Sequence, residues 1–198
     1  MPVPSSFWVR WMLLTTVGLA VGLVAGFGLG APTVAIVGMM LVVTVIGAIL
    51  GGVSGAVQSL ALPPNLRRRG SWSLATAVGM AVGLTVGTVG GEQLGFEKGN
   101  PVHEALFIAI VGLATGGFAG LAQLRVLRGR MSTPGLWVPA SALASGLGFL
   151  IGGLAAVAVV GGFRSLAGLA IVGVAGGVLS GALGGLILGR LAGKPMAA

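Results

Sequence analysis

Side chains that could do chemistry are few in this sequence, and they gather in three places. The first is the stretch EQLGFEKGNPVHE, which brings together Glu92, Glu97, His103 and Glu104. Carboxylates and an imidazole are donors that a divalent cation accepts. Their spacing matches no metal-ligand motif, so the stretch reads as a solvated connection or contact surface and no metal site is expected. The second place is a pair of amides, Gln58 and Gln123, at matching positions in SGAVQSLAL and AGLAQLRVL. An amide both donates and accepts hydrogen bonds. Each glutamine would bond to a neighbouring helix end or loop carbonyl, or the two would line the way in for a neutral solute; they are the solute-path candidates. In an accessory protein, replacing both by Leu should leave stability and assembly largely intact; if they line a route, it should abolish solute movement. The third place is basic: Arg67, Arg68 and Arg69 in RRR, and Arg125, Arg128 and Arg130 in RVLRGR. Near a membrane surface each such charge attracts anionic lipid headgroups by ~1 kcal/mol.

Much else is excluded. The sequence has no cysteine and no tyrosine, which removes thiolate chemistry, disulfides and a common proton donor. The interiors of the long apolar stretches hold no Asp, Glu, Lys, Arg or His, although such residues are the usual marks of ion paths and proton relays. Serine and threonine are present without a base at that depth to activate them. The expectation is therefore no catalytic residue, no cofactor and no enzyme; only the arginine clusters would support action on lipid at the interface. Strings such as GLATGG are not phosphate loops, because no lysine follows.

These groups must be positioned by elements suited to lipid. Of 198 residues 56% are hydrophobic and 7% charged, with a mean hydropathy of +1.08. A soluble domain needs roughly 25% charged residues to cover its surface. The run from Trp11 to Leu66 carries no charge, far more than the ~20 apolar residues that cross a bilayer. In hydrocarbon only helices and closed barrels satisfy their own backbone, and a barrel strand would alternate apolar and polar residues. Here 39 glycines recur at fourfold spacing instead. The expected fold is an all-α integral membrane protein, a single transmembrane domain over 1–198. Its six transmembrane helices fall near 11–29, 34–58, 72–91, 102–124, 137–161 and 166–189. Ser71 is a candidate N-cap for the third; Asn100 with Pro101, and Thr133 with Pro134, start the fourth and fifth. Pro139 is close enough to a helix start to be tolerated.

Threading six spans puts Arg10, Arg67, Arg68, Arg69, Arg125, Arg128, Arg130, Arg190 and Lys194 on one side, leaving Lys98 and Arg164 with the three acidic residues on the other. The positive-inside rule then makes both termini cytoplasmic. Trp8, Trp11, Trp72 and Trp137 fall at the cytoplasmic ends of odd-numbered spans, where interfacial aromatic anchors are expected. Span one could be a cleaved signal peptide. Its reappearance at Trp72 argues for mature structure: WMLLTTVGLAVGLVAG and WSLATAVGMAVGLTVG share W.L.T.VG.AVGL..G.

That recurrence reads as three parallel helical-hairpin repeats, approximately 8–62, 71–127 and 136–190. Gly18, Gly22 and Gly26 fall on one face of span one, Gly47, Gly51 and Gly55 on one face of span two, Gly79, Gly83 and Gly87 on one face of span three, and Gly173, Gly177 and Gly181 on one face of span six. Residues four apart on a helix face the same way, and such GxxxG stripes let backbones approach closely in lipid. A two-span unit cannot be an inverted repeat, which needs an odd number of spans. The layout resembles that of mitochondrial carriers, but that family's charged, proline-containing signatures are absent and this chain is much shorter, so the likeness carries no site. The functional expectation is a non-catalytic polytopic protein, an accessory or scaffold subunit of a membrane assembly. The alternative is a small transporter or channel for a neutral or weakly polar solute. Its partners would be the lipid bilayer and either membrane-protein subunits or further copies of itself, with no nucleic acid despite the net charge of +8. A bacterial inner membrane is the expected location.

Overall fold

A computed structural model describes residues 6–30, 38–62, 69–96, 99–131, 133–163 and 165–192. These residues form six long helices: α1 (Ser6–Gly30), α2 (Met39–Ser59), α3 (Arg69–Gln93), α4 (Pro101–Leu127), α5 (Trp137–Val160) and α6 (Leu166–Ala192). All six are long and apolar enough to cross a membrane. The shortest, α2, has 21 residues; at 1.5 Å per residue it extends roughly 31 Å, the thickness of a hydrocarbon core. Large apolar side chains such as Val17, Val21, Leu74, Val78, Leu147 and Ile151 are exposed on its outer surface. In water these faces would be a liability, and in lipid they are solvated. The protein is a polytopic membrane protein.

Local chemistry sets the helix ends. Asn100 caps α4: its Oδ1 accepts from the N–H groups of Val102 (3.1 Å) and His103 (3.3 Å), and Pro101 follows at the first helical position. Thr133 makes no side-chain cap bond; a short 3-10 turn, Pro134–Leu136, leads into α5 instead. Pro139 sits in the first turn of α5, where its missing N–H costs no intrahelical bond. Ser71 is not a cap. The helix already runs at Arg69, so Ser71 lies inside the first turn of α3. α2 is described from Met39, and residues 31–37, which the sequence reading assigned in part to this span, lie outside the described residues.

Each helix packs on its sequence neighbours, and α6 closes onto α1. The result is a six-membered ring around one axis. Glycines lie at every seam. A Cβ at Gly22 would come within 3.1 Å of the Leu50 Cα across α1/α2, and one at Gly47 within 2.7 Å of the Ala81 Cα across α2/α3. At Gly83 it would reach 2.5 Å from the Thr115 Cα across α3/α4, and at Gly177 2.5 Å from the Thr16 Cα across α6/α1. Backbone cannot yield as a side chain does, so these positions admit hydrogen only. Gly18, Gly26, Gly51, Gly55, Gly79, Gly87, Gly173 and Gly181 likewise face backbone or Cβ atoms of the neighbouring helix. Two seams use glycines that the sequence reading passed over. Gly112, Gly116 and Gly120 of α4 face Phe149, Ser141 and Val138 of α5, and Gly148 and Gly152 of α5 face Gly176 and Val172 of α6.

Candidate functional site

The inward stripe of each odd-numbered helix begins with a tryptophan. Four residues on from Trp11, Trp72 and Trp137 stand Thr15, Thr76 and Ser141; eight residues on stand Leu19, Met80 and Ser145. Fourfold spacing keeps each series on one helix face, and here that face is turned to the ring axis. The three indoles meet at its basic end. Trp11 lies 5.9 Å from Trp72 and 6.4 Å from Trp137, both edge-on, and Trp72 and Trp137 are 6.4 Å apart. Edge-to-face contacts at such separations are favourable for aromatic quadrupoles. Leu62, Leu127 and Leu188, the last residues of SGAVQSLAL, AGLAQLRVL and the similar SGALGGLIL (180–188), pack into the same cluster.

This placement corrects the expectation of interfacial anchors. Trp11, Trp72 and Trp137 are 2%, 0% and 3% exposed. An anchor would present its ring to headgroups; these rings plug the axis. The physical reason is inside the ring: two of the three indole N–H groups find hydrogen-bonding partners there, and the Trp11 ring packs edge-on against the other two. Trp72 Nε1 donates to Gln58 Oε1 (3.3 Å), and Trp137 Nε1 donates to Gln123 Oε1 (2.7 Å). Trp8 is half-buried and donates to the Ala182 carbonyl across the α1/α6 seam (3.0 Å).

Each glutamine is itself bridged. Gln58 Nε2 donates to Thr15 Oγ1 (3.3 Å) and Gln123 Nε2 to Thr76 Oγ1 (2.9 Å). One amide therefore ties three helices: Gln58 on α2 to α1 and α3, Gln123 on α4 to α3 and α5. Of the two expectations from sequence, a helix-end or loop carbonyl partner and a solute lining, neither names these partners, which are side chains of the odd-numbered helices. Thr76 passes the chain on, donating to the Trp72 carbonyl (2.8 Å). A net 0.5–1.5 kcal/mol for each hydrogen bond is typical, and cross-helix bonds in membrane proteins average nearer 0.6 kcal/mol. The matching place on α6 is Gly184, and among the described residues no hydrogen bond reaches the Trp11 indole N–H.

Beside that gap lies a cavity of about 40 Å³, to which all six helices contribute. Its wall includes Trp11, Gln58, Gln123, Ser141, Ser145 and Gly184. A space of ~10–15 Å³ suffices to admit a water, so the chamber holds little more than a water or two. Deeper along the axis the core turns apolar, with Leu19, Leu23, Leu50, Ile108, Phe149 and Val172 packed together.

The remaining sequence candidates lie elsewhere. Arg125 and Arg128 are exposed and Arg130 is half-buried at the basic end of α4; Arg67 and Arg68 lie outside the described residues, as does the Arg69 side chain. At the opposite end, the Phe96 and His103 rings are 5.7 Å apart, and the Glu104 carboxylate accepts from the Gly99 N–H (3.3 Å). Glu97 lies outside the described residues. Among those described, no three His, Cys, Asp or Glu side chains cluster as a cation would require. The hydroxyls four residues after each tryptophan escaped the sequence reading, although the recurrent W-x3-[ST] spacing in three spans carries them.

Comparison with protein-family models, with curated proteins and with solved structures finds no match to this chain.

Proposed function

We propose that this polytopic membrane protein is non-catalytic and serves as an accessory or scaffold subunit of a larger membrane assembly. In this reading three parallel hairpins, held by their glycine stripes and with both termini in the cytoplasm, form a rigid pre-packed unit in an inner membrane. The observation that carries the reading is the filled axis. Three indoles and three leucines occupy one end of it, and an apolar layer lies beyond the small polar chamber. The glutamines next to that chamber spend their hydrogen bonds on neighbouring helices, which is the behaviour of a brace.

The chamber itself supports the second reading, a small transporter or channel for a neutral or weakly polar solute. Gln58, Gln123, Ser141 and Ser145 would offer such a solute hydrogen bonds. Movement through the ring would then require the tryptophan cluster to part, exposing buried apolar surface and breaking both indole bonds.

Gentle extraction from the protein's own membrane followed by native mass spectrometry separates the two. The scaffold reading expects stoichiometric partner subunits in the recovered complex. Recovery alone, or as a homo-oligomer carrying a small molecule, would contradict it and make that molecule the first candidate solute.

A further inference from the structure

The outer faces of α3 and α4 enclose a groove of about 920 Å³ between them. One end is polar: Ser71, Arg125, Arg128 and Arg130 line it. The rest is apolar, with Leu74, Val78, Val82, Phe118 and Leu121 along its walls. Ser71 to Val82 is eleven residues of helix, roughly 16 Å at 1.5 Å each. That is about half of the ~30 Å hydrocarbon core, the depth of one leaflet.

Charge points to the occupant. α4 ends at Leu127, and Gly129 adopts φ +72°, a left-handed turn that returns the chain so that Arg128 and Arg130 line the same groove. Arg130 Nη1 is buried and has no hydrogen-bond partner among the described residues. A buried guanidinium N–H without an acceptor is costly. Among the described residues no acidic side chain lines the groove, and Glu92 and Glu104 stand at the far ends of α3 and α4. Three guanidinium groups without a carboxylate, at the mouth of a leaflet-deep apolar slot, call for an anion with a hydrocarbon tail.

We infer that this groove seats one anionic phospholipid, its phosphate held by Arg125, Arg128 and Arg130 and an acyl chain lying along Leu74, Val78, Val82 and Leu121. Guanidinium and phosphate match as bidentate partners, and the phosphate supplies the acceptor that Arg130 lacks. The lipid would fill the outer α3/α4 face, leaving the axial chamber untouched.

The test uses the full chain in nanodiscs of phosphatidylcholine doped with phosphatidylglycerol, with retained lipid counted by native mass spectrometry after release into mild detergent. The wild type should keep one phosphatidylglycerol per chain in preference to phosphatidylcholine. Retention should fall about fivefold for each of Arg125→Gln, Arg128→Gln and Arg130→Gln, following the usual attraction of one basic side chain for an anionic surface. Leu74→Trp, which blocks the slot from an exposed position without touching the arginines, should lower retention too. The pair Arg10→Gln and Arg190→Gln, exposed charges outside the groove, should leave it unchanged. Equal retention of the two lipids by the wild type would overturn the site, as would a loss caused equally by the Arg10/Arg190 pair. Because the count is made on the isolated chain, it succeeds or fails independently of whether partner subunits exist.

Discussion

Of the three seams that join an even-numbered helix to the odd-numbered helix after it around the ring, two are bolted by an amide and the third is not. At the α2/α3 junction Gln58 joins Trp72 to Thr15, and at α4/α5 Gln123 joins Trp137 to Thr76. At α6/α1 the same place holds Gly184, and the closure relies on backbone approach at Gly173, Gly177 and Gly181 and on the Trp8–Ala182 bond. The contrast separates two jobs. Close backbone packing is common to all the seams and makes the ring; the polar bridges are additions to two of them and fix how the axial rings sit.

The largest effect should come from what the seams share. Gly83→Leu and Gly177→Leu each drive a side chain into a neighbouring backbone 2.5 Å from the added Cβ. Overpacking of well-packed cores costs ~1–3 kcal/mol even where side chains can shift, and here backbone must move. Neither variant should be recovered as a folded monomer by size-exclusion chromatography in detergent. Gly90→Leu, where nothing lies within 4 Å of an added Cβ, should be recovered normally. If Gly177→Leu folded while Gly83→Leu did not, the closing seam would be looser than the rest, and the shared job would not be shared.

Single amide removals come next. Gln58→Leu leaves the Trp72 indole N–H buried without an acceptor, and Gln123→Leu does the same to Trp137. An unsatisfied buried donor costs ~1–3 kcal/mol, with membrane bridges at the low end. Each variant should therefore unfold at a lower temperature than the wild type in the same detergent, followed by tryptophan emission. From sequence alone, an accessory protein is expected to keep its stability largely intact without these amides; the bridges make a drop the expected result.

What was legible and what was not follows the same division. Apolar length, charge segregation and the Asn100–Pro101 start all stand in local sequence, and six helices long enough to cross a membrane could be read from them. The inward turn of the tryptophans could not. A tryptophan near the end of an apolar span has the same local signature whether it faces headgroups or a partner helix, and the deciding amides are fourteen residues away on another helix. Nor does the sequence say that Gln58 and Gln123 end as bridges, since an amide at that depth suits a solute as well as an indole. The stripe at Gly112, Gly116 and Gly120 was legible, with the same fourfold spacing as the stripes that were read.

Smaller effects would sharpen the contrast. Gly184→Gln supplies the missing third amide. A Cβ there would meet Trp11 Nε1 and the Trp137 ring at 3.6 Å, ordinary contact, with the chamber alongside to take the side chain. It should raise the unfolding temperature by the equivalent of ~0.5–1 kcal/mol; a lower temperature would mean that the closing junction needs its gap. Smallest of all, Ser54→Ala removes a fully buried hydroxyl that has no partner among the described residues. The matching position in AGLAQLRVL, on α4, already carries Ala119. A gain of a few tenths of a kcal/mol is expected, since an unpaired buried hydroxyl is a burden, and differential scanning fluorimetry against the wild type would read it.

The most direct test of the bridging role is the unfolding temperature of the Gln58→Leu/Gln123→Leu double variant beside that of the wild type. The brace account predicts a drop larger than either single substitution produces, with tryptophan emission altered in the folded state. An unchanged midpoint with unchanged emission would contradict it, and would leave the two amides free for a solute.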